Sequence, residues 1–113
     1  MSNVVTLKDK AEFDELLKSG RPVAVQAHAE WCGPCKAISP IFEKHSSNTS
    51  YSDIVFARFD TDEVADLSQE LGIRSIPAFF AFKDGNKVDG VTGANPPALE
   101  ALLKGLKAPN AEA

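Results

Sequence analysis

Two thiols and the spacing between them are the chemically distinctive feature of this chain. Its only cysteines, Cys32 and Cys35, lie in the segment AEWCGPCKAISP with Gly33 and Pro34 between them. Thiols at this spacing can form a structural disulfide, supply two ligands to a metal ion, or exchange electrons reversibly with another disulfide. The surrounding residues have to distinguish these three kinds of chemistry.

A structural bridge and a metal site both fit the sequence less well than redox chemistry. A disulfide that encloses two residues removes little entropy from the unfolded chain, so it contributes little to stability. A structural zinc site takes four ligands, and one Cys-x-x-Cys pair supplies two. The two histidines, His28 and His45, fall on a predicted strand and far along a predicted helix. We therefore favour reversible dithiol–disulfide chemistry, with no metal and no cofactor bound to the chain.

Length and composition predict one globular domain. The 113 residues are 43% hydrophobic and 25% charged, which is typical of a soluble domain with its own core. A net charge of −4 gives no reason to expect a nucleic-acid partner. No apolar run approaches the roughly 20 residues that span a membrane, and residues 1–13 lack a secretion pattern, so a cytoplasmic location is predicted. We expect a folded domain over 1–107 and a flexible tail over 108–113.

Hydrophobic patterning predicts the strands and helices that must position the two thiols. Five β-prone runs are predicted as strands: 4–7, 22–29, 53–59, 77–82 and 87–93. Helices are predicted to follow Asp9, to begin at Gly33, to cover 64–72 and to begin at Pro96. This order implies an α/β protein, a three-layer α/β/α sandwich around a central mixed, mostly parallel sheet.

The thiols are thereby placed between the end of a buried strand and the first turn of the next helix. Unpaired backbone N–H groups and the helix dipole stabilise negative charge there, which favours a thiolate at Cys32. Cys35 is expected about 5–6 Å away on the same helical face, within bridging distance. Pro34 is tolerated in the first turn, where its missing N–H would have no helical partner. Trp31 is expected to rim this site.

The segments WCGPCK (31–36) and RSIPAFFAFKDG (74–85) resemble the two signature motifs of the thioredoxin family. The resemblance extends from about Val4 to Leu106 and implies the thioredoxin fold. It also implies a protein-disulfide reductase of cell redox homeostasis, with disulfide-containing client proteins and an NADPH-dependent, flavin-containing thioredoxin reductase as partners. Cys32 is then the nucleophile, and Cys35 is the resolving residue and the more buried of the two.

The resemblance also implies a substrate groove beside the cysteines. Its residues would be Trp31, Ile76, Pro77, Gly93 and Ala94. A cis peptide bond at Pro77 would expose backbone groups, those of Ile76 especially, to an extended client chain; the alternative is an ordinary loop or edge-strand proline. Gly93 and Ala94 would keep the surface that the client chain approaches flat. Gly33 and Pro34 would set the redox equilibrium of the cysteine pair.

Two residues depart most from the family pattern, and Ala78 and Arg58, where the family often has threonine and lysine, are milder changes. The family usually has a buried aspartate at the position of Gln26, thought to accept the proton of the resolving cysteine, and an aromatic residue at that of His28. Gln26 cannot titrate, but its amide can hydrogen-bond to the Cys35 sulfur, directly or through water. His28, with Glu30 behind it, is the candidate replacement for the proton acceptor. We favour the alternative that His28 only packs in place of the aromatic ring.

Three functions compete at this point. The leading hypothesis is a reductase of general protein disulfides that works as a monomer. The second is a thioredoxin-fold binding or regulatory module with incidental redox chemistry, which only Gln26 and His28 favour. The third, a disulfide isomerase or oxidase, is disfavoured because Gly-Pro between the cysteines, rather than Gly-His, implies a reducing poise.

Overall fold

A computed structural model describes residues 2–107, and the tail predicted over 108–113 lies outside the described residues. The elements follow the order that the sequence patterning predicts. In chain order they are β1 (Val5–Thr6), α1 (Lys10–Leu17), β2 (Val23–His28), α2 (Gly33–Ser46), β3 (Val55–Asp60), α3 (Ala65–Glu70), β4 (Ala78–Lys83), β5 (Asn86–Thr92) and α4 (Pro96–Lys107). A short 3₁₀ turn over Thr49–Tyr51, which the sequence analysis did not predict, precedes β3.

The five strands form one mixed sheet in the order β1-β3-β2-β4-β5. β3 pairs in parallel with β1 and with β2, whereas β4 pairs antiparallel with β2 and with β5. The expected mixed sheet is confirmed, and its parallel part is the half formed by β1, β3 and β2. β2 is the central strand, and the two cysteines follow it directly.

Apolar side chains fill both sides of the sheet. Val23, Val25 and Ala27 of β2 belong to a buried cluster that includes residues of α1 and α3. Ala24, on the opposite face of the same strand, belongs to a second cluster with Phe42 of α2 and residues of α4. Because successive strand residues point to opposite faces, one strand contributes to both cores. This arrangement confirms the three-layer sandwich.

Side-chain caps begin the helices at the predicted places. The Asp9 carboxylate accepts the Glu12 N–H over 2.8 Å before α1, and the Asn95 side chain accepts the Ala98 N–H over 3.1 Å at the start of α4. Each bond satisfies a backbone donor that the helix itself leaves unpaired. None of the helices within the described range is long and apolar enough to cross a membrane.

Candidate active site

The two cysteines lie at the N-terminus of α2. Cys32 is the N-cap residue, with an extended backbone, and Cys35 belongs to the first turn. The Cys35 backbone N–H donates a hydrogen bond to Sγ of Cys32 over 3.1 Å. The two residues form a disulfide, and their Cα atoms are 5.3 Å apart, within the expected separation. The helix N-terminus therefore supplies both the geometry for the bridge and a donor for one of its sulfurs.

Burial does not distinguish the two cysteines in this disulfide state. Cys32 is 3% exposed and Cys35 is 2% exposed, so the expectation that Cys35 is the more buried stays a prediction for the dithiol state. Both cysteines belong to one buried cluster with Ala29, and Ile76 packs against that cluster. Gly33 and Pro34 are exposed. The two residues differ instead in their position relative to the helix.

The side chain of Trp31 marks the rim of the site, as predicted. It is 71% exposed, and its indole Nε1–H donates to the Asp62 carboxylate over 2.9 Å. Asp62 lies between β3 and α3, so this bond holds the ring toward the neighbouring loop. The sequence analysis did not identify Asp62, because its partner lies 31 positions away and no local pattern connects them.

Ile76, Pro77 and Gly93, three of the residues expected to form a groove, are connected to one another near the cysteines. The Ile76–Pro77 peptide bond is cis, which confirms that expectation. Ile76 packs against the cluster that contains both cysteines, and the Gly93 N–H donates to the Pro77 carbonyl over 2.8 Å. Gly93 has a φ of +101°, in the region that favours glycine, and Ala94 beside it is exposed.

Gln26 lies beneath the start of α2 and is connected to Cys35 through a residue that the sequence analysis missed. Its side chain is fully buried, and its Nε2 donates to Oγ of Ser39 over 2.9 Å. Ser39 in turn donates to the backbone carbonyl of Cys35 over 2.7 Å. Gln26 Oε1 is buried with no hydrogen-bond partner in the described part of the chain. The spacing of Ser39, four residues after Cys35 on one helical face, was the available signal.

The residue opposite Gln26 on β3 is Arg58. Its guanidinium forms a half-buried ion pair with the Glu43 carboxylate of α2 over 2.8 Å. The pair ties the central sheet to the helix that carries the cysteines.

The half-buried ring of His28 lies among charged groups near the end of β2. Burial is the main cause that lowers the pKa of His28, and Arg58 lowers it further, while Asp60, Glu30 and Glu63 oppose the shift. Asp60 is also its partner across the β2–β3 ladder. The lowered pKa favours a neutral imidazole at neutral pH.

Comparisons with known proteins agree over nearly the full length. The thioredoxin family model matches residues 3–107. Thioredoxin Asp f 29 of Aspergillus fumigatus is 48% identical over 103 residues, covering 90% of this chain and 94% of that protein. The thioredoxin of Equus caballus is 43% identical over 105 residues, covering 91% and 98%.

Solved structures give the same result. The crystal structure of Malassezia sympodialis thioredoxin (Mala s 13) is similar with a TM-score of 0.90 at 36% identity, covering 96% of this chain and 94% of that one. The thioredoxin of Plasmodium falciparum is similar with a TM-score of 0.85 at 39% identity, covering 90% and 98%. Sequence and backbone therefore point to the same family.

Proposed function

This chain belongs to the thioredoxin family, and from that premise we propose which residues carry each step of its reaction. The protein is a thiol–disulfide oxidoreductase that reduces protein disulfides by dithiol–disulfide exchange. We assign Cys32 as the nucleophile and Cys35 as the resolving residue. The observation that carries this assignment is the hydrogen bond from the Cys35 N–H to the Cys32 sulfur at the N-terminus of α2.

The first step is attack by Cys32 on a client disulfide. In the dithiol form the Cys35 N–H and the helix dipole stabilise the Cys32 thiolate. Its sulfur bonds to one client sulfur, and the client disulfide breaks. The other client sulfur leaves as a thiolate and takes a proton from water, so the product is a Cys32–client mixed disulfide and one client thiol.

The second step releases the client. The Cys35 sulfur attacks the Cys32 sulfur, the Cys32–client bond breaks, and the proton of the Cys35 thiol ends on the departing client sulfur. The Cα separation of 5.3 Å suits the bridge that forms. Over both steps two electrons pass from the cysteine pair to the client disulfide, and the protein is left as its own disulfide.

The cycle needs a reductant for the Cys32–Cys35 disulfide. The family implies a flavin-containing thioredoxin reductase that oxidises one NADPH for each disulfide returned to the dithiol form. We propose that this partner and the clients approach the same face, over the exposed residues Trp31, Gly33 and Pro34. The Cys32–Cys35 disulfide takes up two electrons from NADPH and two protons, and it becomes the dithiol.

The groove residues are proposed to hold the client chain in an extended form. The backbone of Ile76, next to the cis Pro77, would pair with the client, and Gly93 and Ala94 would leave that approach unobstructed. Gly33 and Pro34, which separate the cysteines, and the buried Gln26 are proposed to tune the redox equilibrium. We propose that His28 packs in place of the family's aromatic ring, and a proton-accepting role for His28 or Glu30 is the alternative that the substitution of His28 tests.

Three general predictions complete the proposal. We predict that residues 1–107 form the functional domain, that the protein acts as a monomer, and that it works in the cytoplasm. Sedimentation of the oxidised protein tests whether it is a monomer. Fractionation of cells that express the full chain tests its location, and the activity of a protein ending at Lys107 tests the bounds of the functional domain.

Insulin reduction by dithiothreitol tests the proposed function. The protein is expected to accelerate precipitation of the insulin B chain, whereas Cys32→Ser is expected to give the uncatalysed rate. A binding module with incidental redox chemistry would give no acceleration by the unmodified protein. The same assay with NADPH and a purified thioredoxin reductase in place of dithiothreitol tests the partner, because NADPH oxidation must then depend on this chain.

A further inference from the structure

We propose that Ser39 is a positioning residue for the resolving cysteine. It holds the Gln26 amide so that the carbonyl oxygen, rather than the NH₂ group, is available to the Cys35 thiol of the reduced protein. The inference rests on the proposed role of Cys35. It adds a hydrogen-bond acceptor, oriented by Ser39, that is used in only one of the two redox states.

The direction of each hydrogen bond follows from the number of protons. The Ser39 hydroxyl has one proton, which it donates to the Cys35 carbonyl over 2.7 Å. Toward Gln26 it can therefore only accept, so the donating end of the amide, Nε2, must face it over 2.9 Å. The acceptor end, Oε1, is consequently turned away from Ser39. Ser39 thus fixes which end of the amide remains free.

The free end has no donor in the disulfide form. Oε1 of Gln26 is buried and has no hydrogen-bond partner within residues 2–107. Buried polar atoms are rarely left unpaired, and the exceptions call for an explanation. Ser39 lies one helical turn after Cys35 on the same face, and its hydroxyl alone connects the Gln26 amide to the Cys35 backbone carbonyl.

Reduction creates a suitable donor. The disulfide has no S–H group, whereas the Cys35 thiol of the reduced protein has one. We assign this thiol as the partner of Gln26 Oε1, directly or through one buried water molecule. The bond favours the dithiol over the disulfide, because it exists only in the dithiol. The amide oxygen accepts a hydrogen bond but is too weakly basic to take up the thiol proton at neutral pH, so this proton still leaves with the client sulfur when Cys35 attacks.

The equilibrium of the full-length protein with glutathione tests the proposal. In Ser39→Ala the amide is no longer held, and its NH₂ group can turn toward the sulfur. The disulfide should then be favoured about three- to tenfold over the unmodified protein, the range that one hydrogen bond carries. Ser39→Thr, which keeps the hydroxyl, should stay within about twofold. An unchanged equilibrium in Ser39→Ala, or a shift toward the dithiol, would overturn the proposal.

Ser46→Ala is the matched control. Ser46 lies on the same helix and is buried, whereas Ser39 is half-buried, and the Ser46 hydroxyl bonds to the Asn3 N–H and the Glu43 carbonyl. Its loss should leave the glutathione equilibrium unchanged even where it lowers stability. A shift equal to that of Ser39→Ala would mean that any lost serine on α2 has the effect, which contradicts a specific role.

An infrared measurement detects the bond itself. In Cys32→Ser the remaining thiol is that of Cys35, and its S–H stretch should lie at a lower frequency than in the double variant Cys32→Ser/Gln26→Leu. Equal frequencies would overturn the assignment. Insulin reduction by the unmodified protein separates this inference from the proposed function. If the protein is active but the Cys35 S–H group makes no hydrogen bond to Gln26, only this inference is contradicted.

Discussion

The backbone N–H of Cys35 donates a hydrogen bond to the sulfur of Cys32 across the first turn of α2. The bond belongs to the N-cap geometry, so it does not require the disulfide to exist. When the disulfide is reduced, the same donor is available to a negative charge on Cys32. The fold therefore places a donor beside the proposed nucleophile before a client arrives.

Alkylation measures this preparation. At neutral pH, iodoacetamide should label Cys32 of the reduced protein about tenfold faster than it labels the cysteine of an unstructured peptide, because a larger fraction of the thiol is ionised. Mass spectrometry of the peptide that contains residues 31–36 gives the rate for each sulfur. Equal rates for the protein and the peptide would remove the electrostatic basis of the mechanism.

Substitution of the buried amide by a carboxylate should change stability and rate in opposite directions. Burial raises the pKa of an aspartate, so in Gln26→Asp the folded state binds a proton more tightly than the unfolded state. Its stability should consequently fall as pH rises through the range between the unfolded and folded pKa values. At neutral pH we expect Gln26→Asp to be about 1–4 kcal/mol less stable to urea than the uncharged control Gln26→Asn.

The same carboxylate should accelerate the resolving step. It can accept the proton of Cys35, which an amide cannot, so mixed-disulfide resolution in Gln26→Asp should be on the order of tenfold faster. Stopped-flow measurement with a preformed Cys32 mixed disulfide gives the rate. Equal rates in the unmodified protein and Gln26→Asp would show that proton acceptance at this position does not limit the step.

Backbone conformation, rather than space, should make Gly93 difficult to replace. A Cβ atom there would meet nothing within 4 Å, but the φ of +101° is one that other residues rarely adopt. Gly93→Ala should therefore cost about 1–2 kcal/mol of unfolding free energy. Gly33 is the matched control, since a Cβ there also meets nothing within 4 Å and its φ is outside that region. Gly33→Ala should be nearly neutral in urea unfolding, and equal losses would contradict the explanation.

His28 should affect the pH dependence of stability more than the rate. Burial lowers its pKa below 6.5, so the unfolded state binds a proton first as pH falls. Its contribution to stability is present above pH 6.5 and is lost as pH falls toward the lowered pKa. His28→Phe should therefore lose less stability between neutral and mildly acidic pH. Its insulin reduction at neutral pH should stay within about twofold of that of the unmodified protein. Loss of a general base would lower the rate far more.

His45 provides the comparison. Burial also lowers its pKa, and its ring packs against Tyr51 rather than near the cysteines. Like His28→Phe, His45→Phe should lose less stability than the unmodified protein as pH falls. Its rate of mixed-disulfide resolution should be unchanged. A large fall in the resolving rate for His28→Phe alone would instead assign His28 as the proton acceptor.

Local signals account for the parts of the fold and site that the sequence predicted. The cap residues Asp9 and Asn95 place helix starts because each acts on its own first turn. The cysteine spacing and the following helix likewise determine the separation of Cys32 and Cys35. The prediction of a cis bond before Pro77 rested on the family resemblance, since most bonds that precede proline are trans.

The remaining features depend on contacts that form only in the folded chain. The Trp31–Asp62 bond joins residues 31 positions apart, and the Gln26–Ser39 bond joins residues 13 apart on different elements. Neither has a sequence pattern of its own. The packing of Ile76 against the cluster that contains both cysteines likewise forms only in the tertiary fold.

Trapping of the mixed disulfide tests the central claim most directly. Reduced Cys35→Ser protein, mixed with an oxidised client, should accumulate a covalent complex in which Cys32 is bonded to the client, because the resolving sulfur is absent. Reduced Cys32→Ser protein should accumulate little or none. Accumulation of the complex by Cys32→Ser and not by Cys35→Ser would contradict the assignment of the nucleophile.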